Sequence, residues 1–312
     1  MSKYNKYKKE AFRIYKTKGT IAGTAKELNK RHPEYSWQGF RKWLRYGIKL
    51  GKNKPKLDAK ILVFDIETSP LLSYTWGKWK QNINDCQLIN DWFMITWSAK
   101  WLFDDKYLSD KLTPEEAIKQ NDKRIVKSIF ELIDKADIVI AHNGDKFDLR
   151  KLNTRFLFYE LGTPSSYQSI DTLKHARKQL SVTSNKLDYL GKFFGLDRKI
   201  ETGGFELWAN CLRGDKKALK DMETYNIQDV KLLEEVYLFL RPYIKPHPNL
   251  ALFIDDELKR CPTCGSDQLE WKSEYITTVS VYAEYKCKCC GSNSRERKKL
   301  SKNKHILSSL PR

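Results

Sequence analysis

The stretch ILVFDIET, residues 61–68, decides how the chain folds. Its pattern predicts a buried β-strand in which Phe64 and Ile66 face one side, while Asp65 and Glu67 both project from the other. Uncompensated burial of two carboxylates is costly, and a divalent cation is the usual compensation. The pair therefore indicates either a metal site or polar residues at the edge of a sheet.

Another acidic position follows an apolar run, in the sequence HNGDKFD at residues 142–148. Asp148 begins a predicted helix, where the partial positive charge of the helix N-terminus favours a carboxylate. The residues alone leave two interpretations open. Asp148 is either a simple helix cap, with Asp145 as another candidate, or a functional carboxylate.

A third acidic position lies in DMETYNIQDVKLLEEVYLF, residues 221–239, whose apolar spacing predicts a helix. Tyr225 and Asp229 are four residues apart and so share one face of it. An isolated pair of this kind favours a hydrogen bond on the helix surface. The combination with the other two acidic segments favours a shared site instead.

Together, FDIET, HNGDKFD and Y-x-x-x-D resemble the three motifs of the DEDD superfamily of 3′→5′ exonucleases. The tyrosine branch, which includes the proofreading domains of family-B DNA polymerases, is the more similar one, because the histidine branch would place His at Thr224. The resemblance covers residues 60–241 and implies an α/β fold, an RNase H-like mixed sheet flanked by helices.

The resemblance also implies roles for individual residues. Two Mg²⁺ or Mn²⁺ ions would be held by four carboxylates, those of Asp65, Glu67, Asp148 and Asp229. Tyr225 would orient the attacking water, and Asn143 would lie near the terminal nucleotide. Two cations roughly 4 Å apart can stabilise both ends of an in-line displacement at phosphorus. The aromatic residues Phe147, Trp76 and Trp79 either stack on frayed terminal bases or pack in the core.

The remaining pattern of the middle region predicts a mixed sheet covered by helices. Further strands are expected at 71–80, 91–102, 136–143 and 165–173. Helices are expected at 113–136, with Thr113 as its N-cap, at 148–162, where Gly162 would end the helix, and over most of 172–241.

Five of the seven cysteines lie near the C-terminus, in CPTCG at 261–265 and CKCCG at 287–291. Two C-x-x-C-G knuckles separated by a β-rich segment resemble a zinc ribbon, with one structural Zn²⁺ held by Cys261, Cys264, Cys287 and Cys290. Cys289 competes for the fourth position, but the symmetry of the knuckles favours Cys290. Four thiolates leave no open position for catalysis.

Residues 1–50 predict a small helical domain of three short helices. A turn before the last helix is typical of a helix-turn-helix, whose third helix would present Gln38, Arg41, Lys42 and Arg45 to DNA. The alternative is a small bundle with a solvated basic face. Residues 51–59 are polar and basic and predict a linker.

The formal net charge of +19 is unevenly distributed. Residues 1–60 carry +14 and residues 257–312 carry +6, while the middle carries −1. Basic flanks indicate a polyanionic partner. The sequence has no apolar run long enough to span a bilayer and no signal peptide, so we expect no membrane partner and a cytoplasmic protein. The resemblance to proofreading exonucleases adds the hypothesis that its source is a bacterium or a virus of one.

The sequence therefore predicts a helical domain at 1–50, a linker at 51–59, a 3′→5′ exonuclease domain at 60–245, and a zinc ribbon with a basic tail at 256–312. The expected substrate is DNA with single-stranded or frayed 3′ ends, in proofreading, end processing or repair beside a separate DNA polymerase or replisome protein. The alternatives are an RNA 3′-trimming enzyme and a DNA-binding regulator with an inactive nuclease core. Retention of all four acidic residues and Tyr225 argues against the regulator.

Overall fold

The computed structural model describes residues 5–18, 21–36, 39–40, 44, 58–196 and 204–300. Contacts between residues divide the chain into two units. One is Ala59–Pro246, and the other combines the described parts of Met1–Asp58 and His247–Arg312. The predicted division into separate domains at 1–50 and 256–312 therefore remains a prediction.

The unit Ala59–Pro246 is built on a five-stranded mixed sheet. Its strands are β1 Ile61–Thr68, β4 Met94–Trp101, β5 Leu108–Lys111, β6 Ile138–Ala141 and β7 Gln168–Asp171. Between β1 and β4, the strands β2 Leu72–Ser73 and β3 Leu88–Asn90 form a separate two-stranded sheet. The order across the sheet is β5-β4-β1-β6-β7. Strand β1 is antiparallel to β4 and parallel to β6. This arrangement confirms the predicted α/β class.

Helices flank the sheet. Those of this unit and the two near the N-terminus are α1 Lys8–Lys18, α2 Ile21–Arg31, α3 Pro114–Ile118, α4 Lys123–Asp134, α5 Asp148–Phe158, α6 Thr172–Gln179, α7 Leu187–Phe193, α8 Phe205–Leu212 and α9 Lys216–Leu240. The longest, α9, packs on β1 and β4. A buried ion pair fastens it there, since Lys100 Nζ of β4 lies 2.6 Å from Glu234 Oε2.

The core explains why β1 occupies the centre. Leu62, Phe64 and Ile66 are buried in the main apolar cluster with residues of β4 and α4. Apolar burial of this kind is the chief stabilising contribution to folding, about 25 cal/mol per Å². One face of β1 is thereby fixed in the core, and the other face carries Asp65 and Glu67.

Two predicted elements were wrong in extent. Residues 71–80 do not form a strand beyond β2, and their side chains are exposed apart from the half-buried Ser73. The helix expected at 113–136 is two helices, α3 and α4, because the chain turns at Gln120, whose φ is +54°. Thr113 does cap α3, and its Oγ1 accepts the N–H of Glu116. Helix α5 ends at Phe158, one turn before Gly162.

Near the N-terminus, α1 and α2 pack around an apolar cluster of Ala11, Ile14, Ala25, Leu28, Phe40 and Leu44. The four residues predicted to face DNA, Gln38, Arg41, Lys42 and Arg45, lie outside the described residues. Among the helices that the structure describes, none is both long and apolar enough to cross a membrane.

The C-terminal segment forms an antiparallel sheet of three strands. These are β8 Leu269–Ile276, β9 Val281–Cys287 and β10 Asn293–Lys299, in the order β10-β9-β8. Cys261, Cys287 and Cys290 are buried together as its small core. A core this small does not stabilise a module by itself, so the cysteines have to contribute in another way.

Candidate metal-dependent active site

Strand β1 and helix α9 bring three carboxylates together. Asp65 and Glu67 project from the same face of β1, and Asp229 of α9 meets them there. One oxygen from each of the three carboxylates lies within 4.8 Å of the other two. Such a group of hard oxygen donors suits Mg²⁺ or Mn²⁺, which take carboxylates and keep water or substrate oxygens as further ligands.

The strand and the helix are joined directly at this point. Asn226, which is fully buried on α9, donates a hydrogen bond from Nδ2 to Asp65 Oδ2 at 2.6 Å. Asn226 lies three residues before Asp229, so both side chains emerge from one side of the helix. The amide therefore fixes the orientation of Asp65 relative to Asp229.

The fourth carboxylate, Asp148, is the first residue of α5 and is buried. The N-cap position of this helix is Phe147. Asp148 Oδ1 accepts the backbone N–H of Ile66 at 3.2 Å, beyond the part of β1 that pairs with β6. Burial raises the pKa of Asp148 to about 7, although the N–H of Ile66 favours the ionised form.

Asp148 lies outside the group of three, but all four carboxylates line one cleft of about 630 Å³. Its other lining includes His142, Phe147, Arg177 and Lys186. A cleft with carboxylates on one part and cations on another can hold a phosphate that bridges metal and protein. The structure thus places all four predicted acidic residues at one site.

The loop before Asp148 is held by Asp171, the last residue of β7. Asp171 Oδ1 accepts the N–H of Asn143 at 2.9 Å and also caps α6 through the N–H of Leu173. Asn143 has a φ of +72°. At Gly144, a Cβ would lie 2.5 Å from Cβ of Ala141, so this turn requires glycine. Asp171 therefore positions the loop that delivers Asp148.

His142 connects this loop to the far side of the cleft. Its Nδ1 lies 2.8 Å from Thr172 Oγ1, and its Nε2 lies 3.0 Å from the carbonyl oxygen of Asn185. Because a carbonyl only accepts, Nε2 carries the proton. The histidine is a bridge between β6 and the segment before α7.

The other predicted site residues occupy different places. Phe147 lines the cleft and is 38% exposed, so it can meet a base. Tyr225 is half-buried one turn before Asp229, and its ring packs edge-on against Trp208 with centroids 6.2 Å apart. Neither Asn143 nor Tyr225 is among the described residues that line the cleft.

Three residues that shape the site were not predicted: Asn226, Asp171 as a loop anchor, and Lys151. Lys151 Nζ lies 2.9 Å from Thr68 Oγ1, at the end of β1, and 3.9 Å from the centre of the Trp92 ring. Burial lowers the pKa of Lys151. For Asn226, its position three residues before Asp229 was a sequence signal for a role at the site. The roles of Asp171 and Lys151 depend on contacts with residues distant in sequence.

The C-terminal cysteines form a separate group whose geometry suits a metal ion. The sulfur atoms of Cys261, Cys264, Cys287 and Cys290 all lie within 4.8 Å of one another. Sγ of Cys261 is 3.6 Å from Sγ of Cys290, and the same distance separates Cys264 from Cys287. Tetrahedral zinc with Zn–S bonds of about 2.3 Å requires sulfurs about 3.8 Å apart. The four thiols therefore fit Zn²⁺, and Cys289 is exposed beside them.

Comparison with known families shows a similarity that covers most of this site. Residues 94–240 match the family model of the RNase H superfamily. The match includes Asp148, Tyr225 and Asp229 and begins after β1. A search of curated proteins found no match. Ala59–Pro246 thus has an RNase H-like fold, and the similarity to this superfamily supports a nuclease-type activity that generally uses divalent metals.

Proposed function

We propose that the protein is a metal-dependent 3′→5′ exonuclease that hydrolyses DNA from single-stranded or frayed 3′ ends. The observation that carries this proposal is the convergence of Asp65, Glu67 and Asp229 in a cleft that Asp148 also lines. The RNase H superfamily match supports the nuclease class. The polarity and the preference for DNA rest on the resemblance of the three sequence motifs to the tyrosine branch of DEDD exonucleases.

Each side chain has a task in this proposal. The four carboxylates would hold two Mg²⁺ or Mn²⁺ ions, and Asn226 keeps Asp65 oriented toward Asp229. Bound divalent cations supply Lewis-acid stabilisation of the phosphoryl charge and lower the pKa of water. Tyr225 contributes a hydroxyl that can hydrogen-bond the attacking water. Arg177 and Lys186 offer positive charge to the phosphate, and Phe147 offers a face to the terminal base.

The flanks complete the proposal. The basic N-terminal and C-terminal segments, with the zinc-binding cysteines ordering the latter, would hold the phosphate backbone of DNA. A role in proofreading, end processing or repair, beside a separate DNA polymerase, follows from such an activity. A helix-turn-helix at 1–50 stays part of the proposal.

The test is incubation with single-stranded DNA and RNA labelled at the 5′ end, in Mg²⁺ or Mn²⁺. We expect a ladder that shortens from the 3′ end on DNA and disappears with a chelator or in Asp65→Ala. Equal or faster shortening of RNA would favour the RNA-trimming alternative. No degradation of either polymer with either metal would contradict a nuclease function.

A further inference from the structure

The segment between β1 and β4, residues 69–92, exposes large aromatic side chains. We call this segment the aromatic arm. Trp76 is 98% exposed, Trp79 is 84% exposed and Tyr74 is 75% exposed. Tryptophan is rarely left in water to this extent, and exposed aromatic clusters mark surfaces that bind a partner. The core-packing interpretation of Trp76 and Trp79 is therefore wrong.

Hydrogen bonds join the two halves of the arm near its base. At its base, Ser69 donates its N–H to the carbonyl of Phe93 at 2.8 Å, and Ser69 Oγ accepts the N–H of Phe93 at 2.9 Å. Further out, Tyr74 donates its N–H to the carbonyl of Gln87 at 3.0 Å, and Gln87 Nε2 returns a bond to the carbonyl of Tyr74 at 3.1 Å. A hairpin whose two halves are hydrogen-bonded loses less conformational entropy on binding than an unconstrained loop.

The base of the arm adjoins the rim of the catalytic cleft. Lys151 Nζ contacts Thr68, which precedes the arm, and lies over the ring of Trp92, which ends it. The same Nζ lies 4.9 Å from the ring centre of Phe147, which lines the cleft. Trp76 is nine residues beyond Glu67, so it lies within about 30 Å of the carboxylates along the chain.

The chemistry of the arm indicates its occupant. Lys78 and Lys80 alternate with the two tryptophans in the first half of the arm, and its two acidic residues, Asp85 and Asp91, lie in the second half. Flat aromatic faces stack on unpaired bases, while neighbouring cations attract the phosphates between those bases. The arm also exposes Leu71, Leu72, Ile83 and Ile89. Lysine is depleted at protein–protein interfaces, so the two lysines beside the tryptophans favour a nucleic acid as the occupant.

We propose that Trp76 and Trp79 form a stacking platform for the single strand whose 3′ end enters the cleft. The proposal rests on the proposed nuclease function for the position of that end. The platform binds bases upstream of the terminal nucleotide and thereby guides the strand toward the carboxylates. Its contribution depends on substrate length, because a dinucleotide in the cleft does not reach it.

Kinetics on two substrate lengths test the platform. The measured quantity is the ratio of kcat/KM on a single strand of about twenty nucleotides to that on a dinucleotide. Leucine at both positions, Trp76→Leu with Trp79→Leu, keeps an apolar side chain but removes the aromatic face. We expect the ratio to fall about tenfold or more, because each lost stacked base weakens binding by about that factor. The pair Trp76→Phe with Trp79→Phe should keep most of the ratio.

The control is Tyr243→Leu, which removes an exposed aromatic ring of the same unit away from the arm. It should leave the ratio unchanged. An unchanged ratio in the leucine pair, or an equal fall in the leucine and phenylalanine pairs, would overturn the platform. If the wild-type protein releases nucleotides normally in that case, the platform fails while the nuclease function stands.

Binding without cleavage provides an independent measurement. In EDTA, fluorescence anisotropy of a labelled single strand should show that the leucine pair binds the strand about tenfold more weakly than the wild type, or more weakly still. The same proteins are sedimented with phosphatidylglycerol vesicles. Vesicle binding that the leucine pair loses, with equal affinity of both proteins for the single strand, would identify the arm as a lipid contact and overturn the proposal. This measurement holds even if no nucleic acid is hydrolysed.

Discussion

The side-chain amide of Asn226 donates a hydrogen bond to Asp65 Oδ2 at 2.6 Å, and so links the helix that carries Asp229 to the strand that carries Asp65. Asn226 is fully buried and Asp65 is half-buried, so loss of the amide would leave a carboxylate oxygen of Asp65 without this donor. A metal site depends on such contacts, which orient the ligands before the metal binds.

Removal of this link should impair the site without unfolding the domain. We expect Asn226→Ala to lower kcat by about 10- to 100-fold and to raise the Mg²⁺ concentration needed for half-maximal activity. Asn226→Asp should be worse, because a further carboxylate beside Asp65 repels it. The measurement is kcat as a function of Mg²⁺ concentration. Thr224→Ala, two residues away on the exposed side of α9, is the control. An unchanged metal requirement in Asn226→Ala would show that the amide has no orienting role.

The raised pKa of Asp148 predicts a pH-dependent stability of the metal-free protein. The pKa is about 7 when folded and about 3.9 when unfolded, so folding is penalised progressively as the pH rises from about 4 to about 7. Asp148→Asn has no charge to bury. In EDTA, its free energy of unfolding should exceed that of the wild type by a few kcal/mol at pH 8, and the difference should shrink toward pH 4.

Urea unfolding at a series of pH values measures this difference. Magnesium should reverse the order at pH 8, because the ionised carboxylate is the form that binds the cation. A difference in the free energy of unfolding that stays constant from pH 5 to pH 8 would contradict burial of the ionised carboxylate of Asp148.

The carboxylate of Asp171 should affect activity through the loop it holds. We expect Asp171→Ala to lower kcat by about tenfold, because the N–H groups of Asn143 and Leu173 lose their acceptor and Asp148 is displaced. Asp134 is a matched control, since it accepts the N–H and hydroxyl of Ser165 in an exposed loop. Asp134→Ala should lower the free energy of unfolding and leave kcat unchanged. Equal kcat in both variants would assign Asp171 a purely structural role.

The four thiols of the C-terminal sheet predict one Zn²⁺ per chain. Elemental analysis of the reduced wild-type protein should find about one zinc, and Cys264→Ser should lose it. Without zinc, residues 261–300 should become sensitive to limited proteolysis, while Ala59–Pro246 stays resistant. Cys289→Ser, which alters the exposed neighbour of Cys290, should retain the metal. Loss of zinc from Cys289→Ser with retention in Cys264→Ser would reverse the assignment.

Local patterns predicted the elements that carry the carboxylates. The alternation in ILVFDIET gave strand β1, and the spacing of Met222, Val230 and Leu233 gave α9, because each element has one continuous buried face. Short-range capping signals were equally informative, as Thr113 shows. Convergence of the acidic residues was expected from the motifs jointly, since no single segment contains enough information to place them together.

Residues 71–80 show where local patterns fail. Their aromatic composition is typical of a strand, but β-propensity reflects packing on a half-buried surface, and these side chains are exposed. The edge strand β5 was missed because it is short, three of its four residues are polar and all four are only half-buried. The bond from Asn226 to Asp65 spans 161 positions, and its one local signal was the position of Asn226 three residues before Asp229.

The central claim is that the converged carboxylates hydrolyse phosphodiester bonds at the 3′ end. The most direct measurement is the identity and rate of the products released from single-stranded DNA in Mg²⁺ by the wild type and by Asp229→Asn. We predict that the wild type releases 5′-mononucleotides in order from the 3′ end and that Asp229→Asn is at least about 1,000-fold slower. Equal rates in the two proteins, or products bearing 3′-phosphates, would contradict it.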